Sequence, residues 1–261
     1  MDIYSQGGRM KIFILLIVWI KSFAFEIEVY QGEDKFRNDL HDYLQSKDIP
    51  QRYLNYENAR KYLFGKIHLI YSKQRGYSIE DVYCSHLYTN KDFPNGPAPA
   101  PMTIPDYRVL NTEHLWPQSH FTKSEIEYKK TDLHHLFPAA AVMNSSRSNI
   151  LYGEVETPTH EVPCAGNKVG YPKPIPGQSK SELRFEPNDE HKGDIARAIF
   201  YFSVRYSQKV DDLEEYYLRI WNTNDPPDDF EKTRNDLIES IQGNRNPFID
   251  NPKLVQRIKD F

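Results

Sequence analysis

The chain has no surplus of positive charge. Its 33 Lys and Arg stand against 37 Asp and Glu over 261 residues, a net charge of −4 with His neutral. This excludes a global basic field that would steer a polyanion from a distance. Cysteine is almost absent, with Cys84 and Cys164 alone. A closed tetrahedral zinc site usually draws on Cys or on helix-spaced His pairs. Here His134 and His135 are adjacent and Cys84 is remote in sequence, so structural zinc is disfavoured. No internal repeat, low-complexity tract or clean linker interrupts the chain, so it reads as one domain. Aromatics are plentiful at 13%, as an ordered globule requires.

The longest apolar run, Ile12 to Ile20, is too short for a comfortable membrane span, and Lys21 ends it. It reads instead as the core of an export signal. Met10 and Lys11 supply a start and a positive flank, with residues 1–9 as an upstream extension, and Ser22-Phe23-Ala24 offers small residues for cleavage after Ala24. The expected organisation is a signal peptide over residues 1–24, starting at Met1 or Met10, and a catalytic domain over residues 25–261. Export to the periplasm or medium would favour a disulfide between Cys84 and Cys164, whereas two free thiols would suit a cytosolic chain.

The most informative stretch runs from Asn111 to Phe121 and contains Glu113, His114 and His120. It is followed by Asp132-Leu-His-His-Leu-Phe-Pro138 and by Asn144-Ser-Ser-Arg-Ser-Asn149. A carboxylate, imidazoles, a carboxamide and a guanidinium so close together suit phosphodiester cleavage beside one hard metal ion. Glu113 and His114 are neighbours, so in an extended segment they point apart unless the strand ends or bends there. Asn144 and Arg147 are three apart and share a face if helical. Pro138 fits a first helical turn, and Ala139, Ala140, Ala141 and Met143 favour continuing it. The expected order is strand, loop and short helix, returning Asn144 to Glu113.

These residues resemble the bacterial endonuclease I family of secreted and periplasmic nucleases, within the ββα-metal or His-Me finger group. The resemblance extends to Val82-Tyr-Cys84, to Phe185 through Arg197, to Arg234-Asn235 and to Gln242 through Asp250, in that order, and covers roughly residues 35–261. It implies an α+β fold, helix-rich, with a ββα-metal core. By position His114 matches the general base, and Glu113 and Asn144 match the Mg²⁺ ligands, with Mn²⁺ as a substitute. Arg147 matches the arginine of the same helix, expected to contact phosphate. Asp132, His134 and His135 match a segment expected to support the site or touch phosphate. Leu115 and Ile150 to Tyr152 depart from the family's form but are apolar and expected to be neutral to the chemistry.

The implied activity is cleavage of DNA, with RNA as a further substrate, to 5′-phosphate products with little sequence preference. The implied protein is a monomer without stable membrane insertion. Loss of activity is expected as pH falls through the His114 pKa, about 6.5 if unperturbed. Two other readings stay open. One is an inactive nuclease-like secreted module that binds nucleic acid. The other is a secreted zinc-binding structural protein.

Helices are expected over residues 35–46, 56–67, 194–207, 211–222, 228–242 and 252–259. Asp194 is expected to cap the first of the C-terminal group, and Gly243 to stop the helix before it. Ile195, Ile199, Phe202 and Tyr206 recur at helical spacing and mark a core face. Residues 90–105 and 154–180 are rich in Pro and Gly and are expected to be loops, the second with short strands. Lys192, Arg197 and Arg245 are candidate nucleic-acid contacts. Lys192 and Arg197, with Lys168, Lys173, Lys180, Arg184 and Arg205, suggest a basic cleft, opposite an acidic outer face drawn from residues 211–231.

Overall fold

The computed structural model describes residues 35–47, 53–175 and 182–261. The expected signal peptide and Lys180 lie outside the described residues. Residues 35–46 form helix α1. Helix α2 (Tyr56–Tyr62) starts where the Asn55 side chain accepts from the Asn58 N–H, and it continues into a π-helical turn, Leu63–Ile67. Both helices stand where the sequence places them.

Three small antiparallel sheets follow. The first contains β1 (Ile70–Ser72), β2 (Gly76–Glu80) and β3 (Leu87–Thr89). The second pairs β4 (Leu110–His114) with β5 (Leu136–Ala140), with helix α3 (Ile126–Thr131) in the connection between them. Helix α4 (Ala141–Arg147) follows β5 directly. The third sheet contains β6 (Val155–His160), β7 (Lys168–Pro172) and β8 (Arg184–Glu186). The C-terminal part is helical: α5 (Lys192–Tyr206), α6 (Asp212–Asn224), α7 (Asp229–Gln242), α8 (Pro247–Asp250) and a final 3₁₀ segment, Pro252–Arg257. The mixture of helix with small antiparallel sheets is an α+β fold, as expected.

Helix α5 forms the centre. Nearly all of its side chains are buried, including Ile195, Ile199, Phe202 and Tyr206. It packs against α6 and α8, so it has no solvent face that would show up as amphipathic. One apolar core gathers on it, with Trp116, Phe137, Met143, Trp221 and Phe248. A second lies beside α2 and contains Leu63, Phe64, Leu110, Leu136 and Ile238. The β4–β5 pair contributes to both cores, because Leu110 and Leu136 enter one while Phe137 and Ala139 enter the other. A strand pair held on both faces is a rigid support for side chains at its end.

Three expectations need correction. Pro138 does not open a helix: residues 136–140 are strand β5, and the helix starts at Ala141. Thr112 faces Pro138 in the ladder, and the Pro138 carbonyl accepts from the Val82 N–H at 2.9 Å. Tertiary pairing thus overrides the helix preference of Ala139 and Ala140. Asp194 does not cap α5. It lies in the first turn, where its carboxylate meets the His191 ring at 3.0 Å and Arg197 at 3.2 Å.

The proposed split of charge into a basic cleft and an acidic face also fails for most of its members. Arg184, Lys192, Arg197 and Arg205 are buried and paired with Asp211, Glu186, Glu231 and Glu125 in turn. Of the acidic residues, Glu214, Glu215 and Glu231 are themselves buried, and Asp211 and Asp228 cap α6 and α7. Gly243, by contrast, ends α7 as expected, at φ 99° with its N–H on the Glu239 carbonyl.

Candidate active site

The end of β4 and the face of α4 close on one polar cavity of about 490 Å³. Glu113, His114, Asn144 and Arg147 all line it, together with Tyr56, Thr112 and Gln118. Strand β4 ends at His114, and its last two side chains, both still in the ladder with β5, line the same cavity.

Each group is oriented by its neighbours. The His114 Nε2 lies 3.0 Å from the Lys130 carbonyl, which can only accept, so the ring proton sits on Nε2 and Nδ1 keeps its lone pair. The Gln118 amide donates towards that Nδ1 at 3.3 Å. Burial, then the nearby His135, lowers the His114 pKa to about 3. The ring is therefore neutral through the ordinary pH range, and its own titration lies well below the 6.5 of an unperturbed imidazole.

Glu113 is only 2% exposed, and Oε1 accepts from the Tyr83 hydroxyl at 2.7 Å and from Arg147 at 2.9 Å. Both bonds fall on Oε1, which leaves Oε2 as the oxygen for a ligand. Burial raises the carboxyl above its ordinary pKa, against the pull of Arg147 and Tyr83. The Asn144 amide donates to the Thr112 carbonyl at 3.2 Å, which assigns the other amide atom, Oδ1, as an acceptor. The cavity thus offers one carboxylate oxygen and one amide oxygen. No group of three or more His, Cys, Asp or Glu arranged for a metal occurs among the described residues. Two hard oxygen donors fit an ion that keeps most of its water, such as Mg²⁺.

Arg147 lines the cavity but is engaged by protein acceptors beneath it. Its side chain is 1% exposed, and besides Glu113 its guanidinium donates to the His114 and Leu115 carbonyls at 3.1 and 2.7 Å. It clamps the end of β4 from below. Asp132, His134 and His135 are buried and stand outside the cavity lining. Asp132 accepts from Tyr201, Tyr206, Gln242 and the His134 N–H. His134 and His135 direct Nε2 at the carbonyls of Asn244 and Lys129. Burial lowers both of their pKa values to about 4. These residues hold the β4–β5 loop; the Leu115 N–H, for example, donates to the His135 carbonyl. His120 stays outside the cavity that His114 lines.

The candidate nucleic-acid contacts are engaged by carboxylates. Lys192 and Arg197 are buried in ion pairs, and Arg245 is neutralised by Asp236, Glu239 and Asp250. Tyr152, expected to be neutral, proves to belong to the site's support. Its hydroxyl bonds Tyr83 at 2.7 Å, and its ring lies 4.6 Å from the Arg147 guanidinium. Tyr83 and Gln118 lay inside the motifs but carried no composition signal. Tyr56 had none at all.

The predicted bond between Cys84 and Cys164 is present. It joins the segment after β2 to the loop before β7, next to Tyr83. Asn167 and Asn188 both donate to the Tyr83 carbonyl at 2.8 Å. No helix among the described residues is long and apolar enough to cross a membrane.

An extracellular ribonuclease of Bacillus amyloliquefaciens is 37% identical over 166 residues, covering 57% of this chain and 53% of that protein. Endonuclease-1 of Buchnera aphidicola subsp. Acyrthosiphon pisum (strain APS) is 30% identical over 150 residues, 56% of each. An extracellular deoxyribonuclease of Aeromonas hydrophila is 29% identical over 126 residues, 48% of this chain and 52% of that protein. The chain spans about half the length of the curated relatives it matches. The profile of one family, Endonuclease I, matches residues 33–253, and the chain therefore belongs to the Endonuclease I family.

Proposed function

We propose that this chain is an exported, Mg²⁺-dependent endonuclease that hydrolyses phosphodiester bonds of DNA, and of RNA, to 5′-phosphate products. One observation carries the reading: Glu113, His114 and Asn144 line a single polar cavity. In this reading β4, β5 and α4 are the strand, strand and helix of a His-Me finger. His114 acts as general base through Nδ1, taking a proton from water while the Lys130 carbonyl holds the opposite ring edge. Glu113 Oε2 and Asn144 Oδ1 would hold Mg²⁺, or Mn²⁺ in its place. The bound ion would neutralise charge developing on the phosphate oxygens. Arg147 and Tyr83 keep the Glu113 carboxylate in one orientation. The names of the relatives, ribonuclease among some and deoxyribonuclease among others, support both substrates, and the words extracellular and periplasmic support export. An inactive binding module would have no use for a neutral, oriented imidazole beside two ligand oxygens.

The test is nicking of supercoiled plasmid with Mg²⁺ and with EDTA, alongside cleavage of a single-stranded RNA. We expect wild type to cleave with Mg²⁺ and to stop in EDTA. His114→Ala should lose about 100- to 10 000-fold in rate while still binding DNA. Near-normal turnover in that variant would rule out the assignment, and cleavage indifferent to EDTA would remove the metal.

A further inference from the structure

An enzyme of net negative charge that acts on a polyanion needs uncommitted cations near its cavity. The arginines and lysines suggested by the sequence do not supply them, since Arg147, Lys192, Arg197 and Arg245 are all held by carboxylates. Two other cations meet the requirement. Lys130 Nζ lies 4.8 Å from the centroid of the Tyr56 ring, and the Arg60 guanidinium lies 5.6 Å from it. Among the described residues neither has a carboxylate within ion-pair distance. Tyr56 itself lines the catalytic cavity and stacks on the His114 ring, with centroids 6.0 Å apart.

An aromatic face differs from a carboxylate as a partner. The ring quadrupole orients a cation without cancelling its charge, so the charge stays available to an incoming anion. Both cations are also registered to the catalytic ring. The Lys130 carbonyl is the group that accepts from His114 Nε2, and Arg60 lies one turn along α2 from Tyr56. Arg60 Nε is a buried donor without a protein acceptor, so the guanidinium has unused hydrogen-bonding capacity.

We propose that Lys130 and Arg60, held against Tyr56 at the rim of the catalytic cavity, form a phosphate-binding subsite that seats the polynucleotide strand. The subsite rests on the nuclease reading, and its test is made separable from it. Binding of a short fluorescein-labelled DNA duplex is followed by anisotropy in EDTA over a series of NaCl concentrations, so no cleavage is required. Lys130→Gln and Arg60→Gln should each weaken binding and reduce the slope of log affinity against log salt by about one. Lys130→Arg, which keeps the charge, should restore the wild-type slope. Lys61→Gln is the control, because Lys61 is already paired with Glu57 at 2.7 Å and its loss should leave the slope unchanged.

With Mg²⁺ present, Lys130→Gln should raise KM more than it lowers kcat, whereas damage to the His114 ring would lower kcat. Slopes unchanged in both Gln variants, or a wild-type protein that does not bind the duplex at low salt, would overturn the subsite. Binding with the expected slopes but no cleavage under Mg²⁺ would support the subsite and sink the nuclease reading.

Discussion

A buried carboxylate depends on its partner, and Glu113 has one charged partner. Both side chains of the Glu113–Arg147 pair are almost fully enclosed, at 3% and 1% exposure. Arg147→Ala should therefore cost about 3–5 kcal/mol of stability, because it leaves a carboxylate buried without a counter-charge and takes a donor from the His114 and Leu115 carbonyls. Arg147→Lys should recover only part of this, since one ammonium cannot span Glu113 and two carbonyls. Urea unfolding measures both, and an unshifted midpoint in Arg147→Ala would reject the clamp. That Glu113, His114 and Asn144 would line one cavity was legible in sequence, because few chemistries need that combination so close together. The place of Arg147 was not legible. A guanidinium suits phosphate and carboxylate equally well, and only its depth in the fold distinguishes them. Tyr83 and Tyr152 were hidden for a similar reason, since a tyrosine reads as core until its hydroxyl is located.

Among elements, the order strand, loop and helix around the site was readable, but the β5–α4 boundary was not. Three consecutive alanines after a proline favour helix locally. The ladder from Leu110↔Ala140 to His114↔Leu136 decides otherwise. The long helices α6 and α7 were easier, since Asp211 and Asp228 cap them through their own side chains and Gly243 stops the second. Disulfide pairing was legible once export was inferred, because only two cysteines exist. The Cys84–Cys164 bond closes a separation of 80 residues. Replacing both cysteines with serine should lower stability by about 2–4 kcal/mol, read as the shift in urea midpoint. Because Cys84 follows Tyr83, whose hydroxyl holds Glu113, we also expect the double variant to lose activity at temperatures where it is still folded. Equal stability of the oxidised and double-serine proteins would refute the first expectation.

Across the whole molecule, charge is organised by pairing rather than by face. The acidic run of residues 211–231 turns partly inward, and buried arginines of α5 and β8 meet it there. His191 shows how this affects pH dependence. Burial alone would lower its pKa, but the hydrogen bond and charge of Asp194, with Glu80 and Glu190, raise it above 6.5. A group raised in the folded state adds stability that is complete below the unfolded pKa and is lost as pH rises through the folded one. Stability should therefore decline on going from below pH 6.5 to above the raised value. His191→Gln should flatten that part of the profile. Thermal unfolding across the interval provides the measurement, and identical profiles for the two proteins would dismiss His191 as the source.

The sequence by itself determined which side chains were candidates for chemistry here, because residue type and close spacing single out Glu113, His114 and Asn144, which line one cavity, and it also pointed to the family. It also determined the main helices, whose caps and periodicity are local. Tertiary structure decided which cations remain uncommitted, which histidine nitrogen carries the proton and which tyrosines hold the site. Those outcomes depend on burial and on partners remote in sequence, such as Asn244 for His134 and Gln242 for Asp132, each 110 residues away. No local pattern encodes such distances, since burial arises only when separate segments remove water from one another.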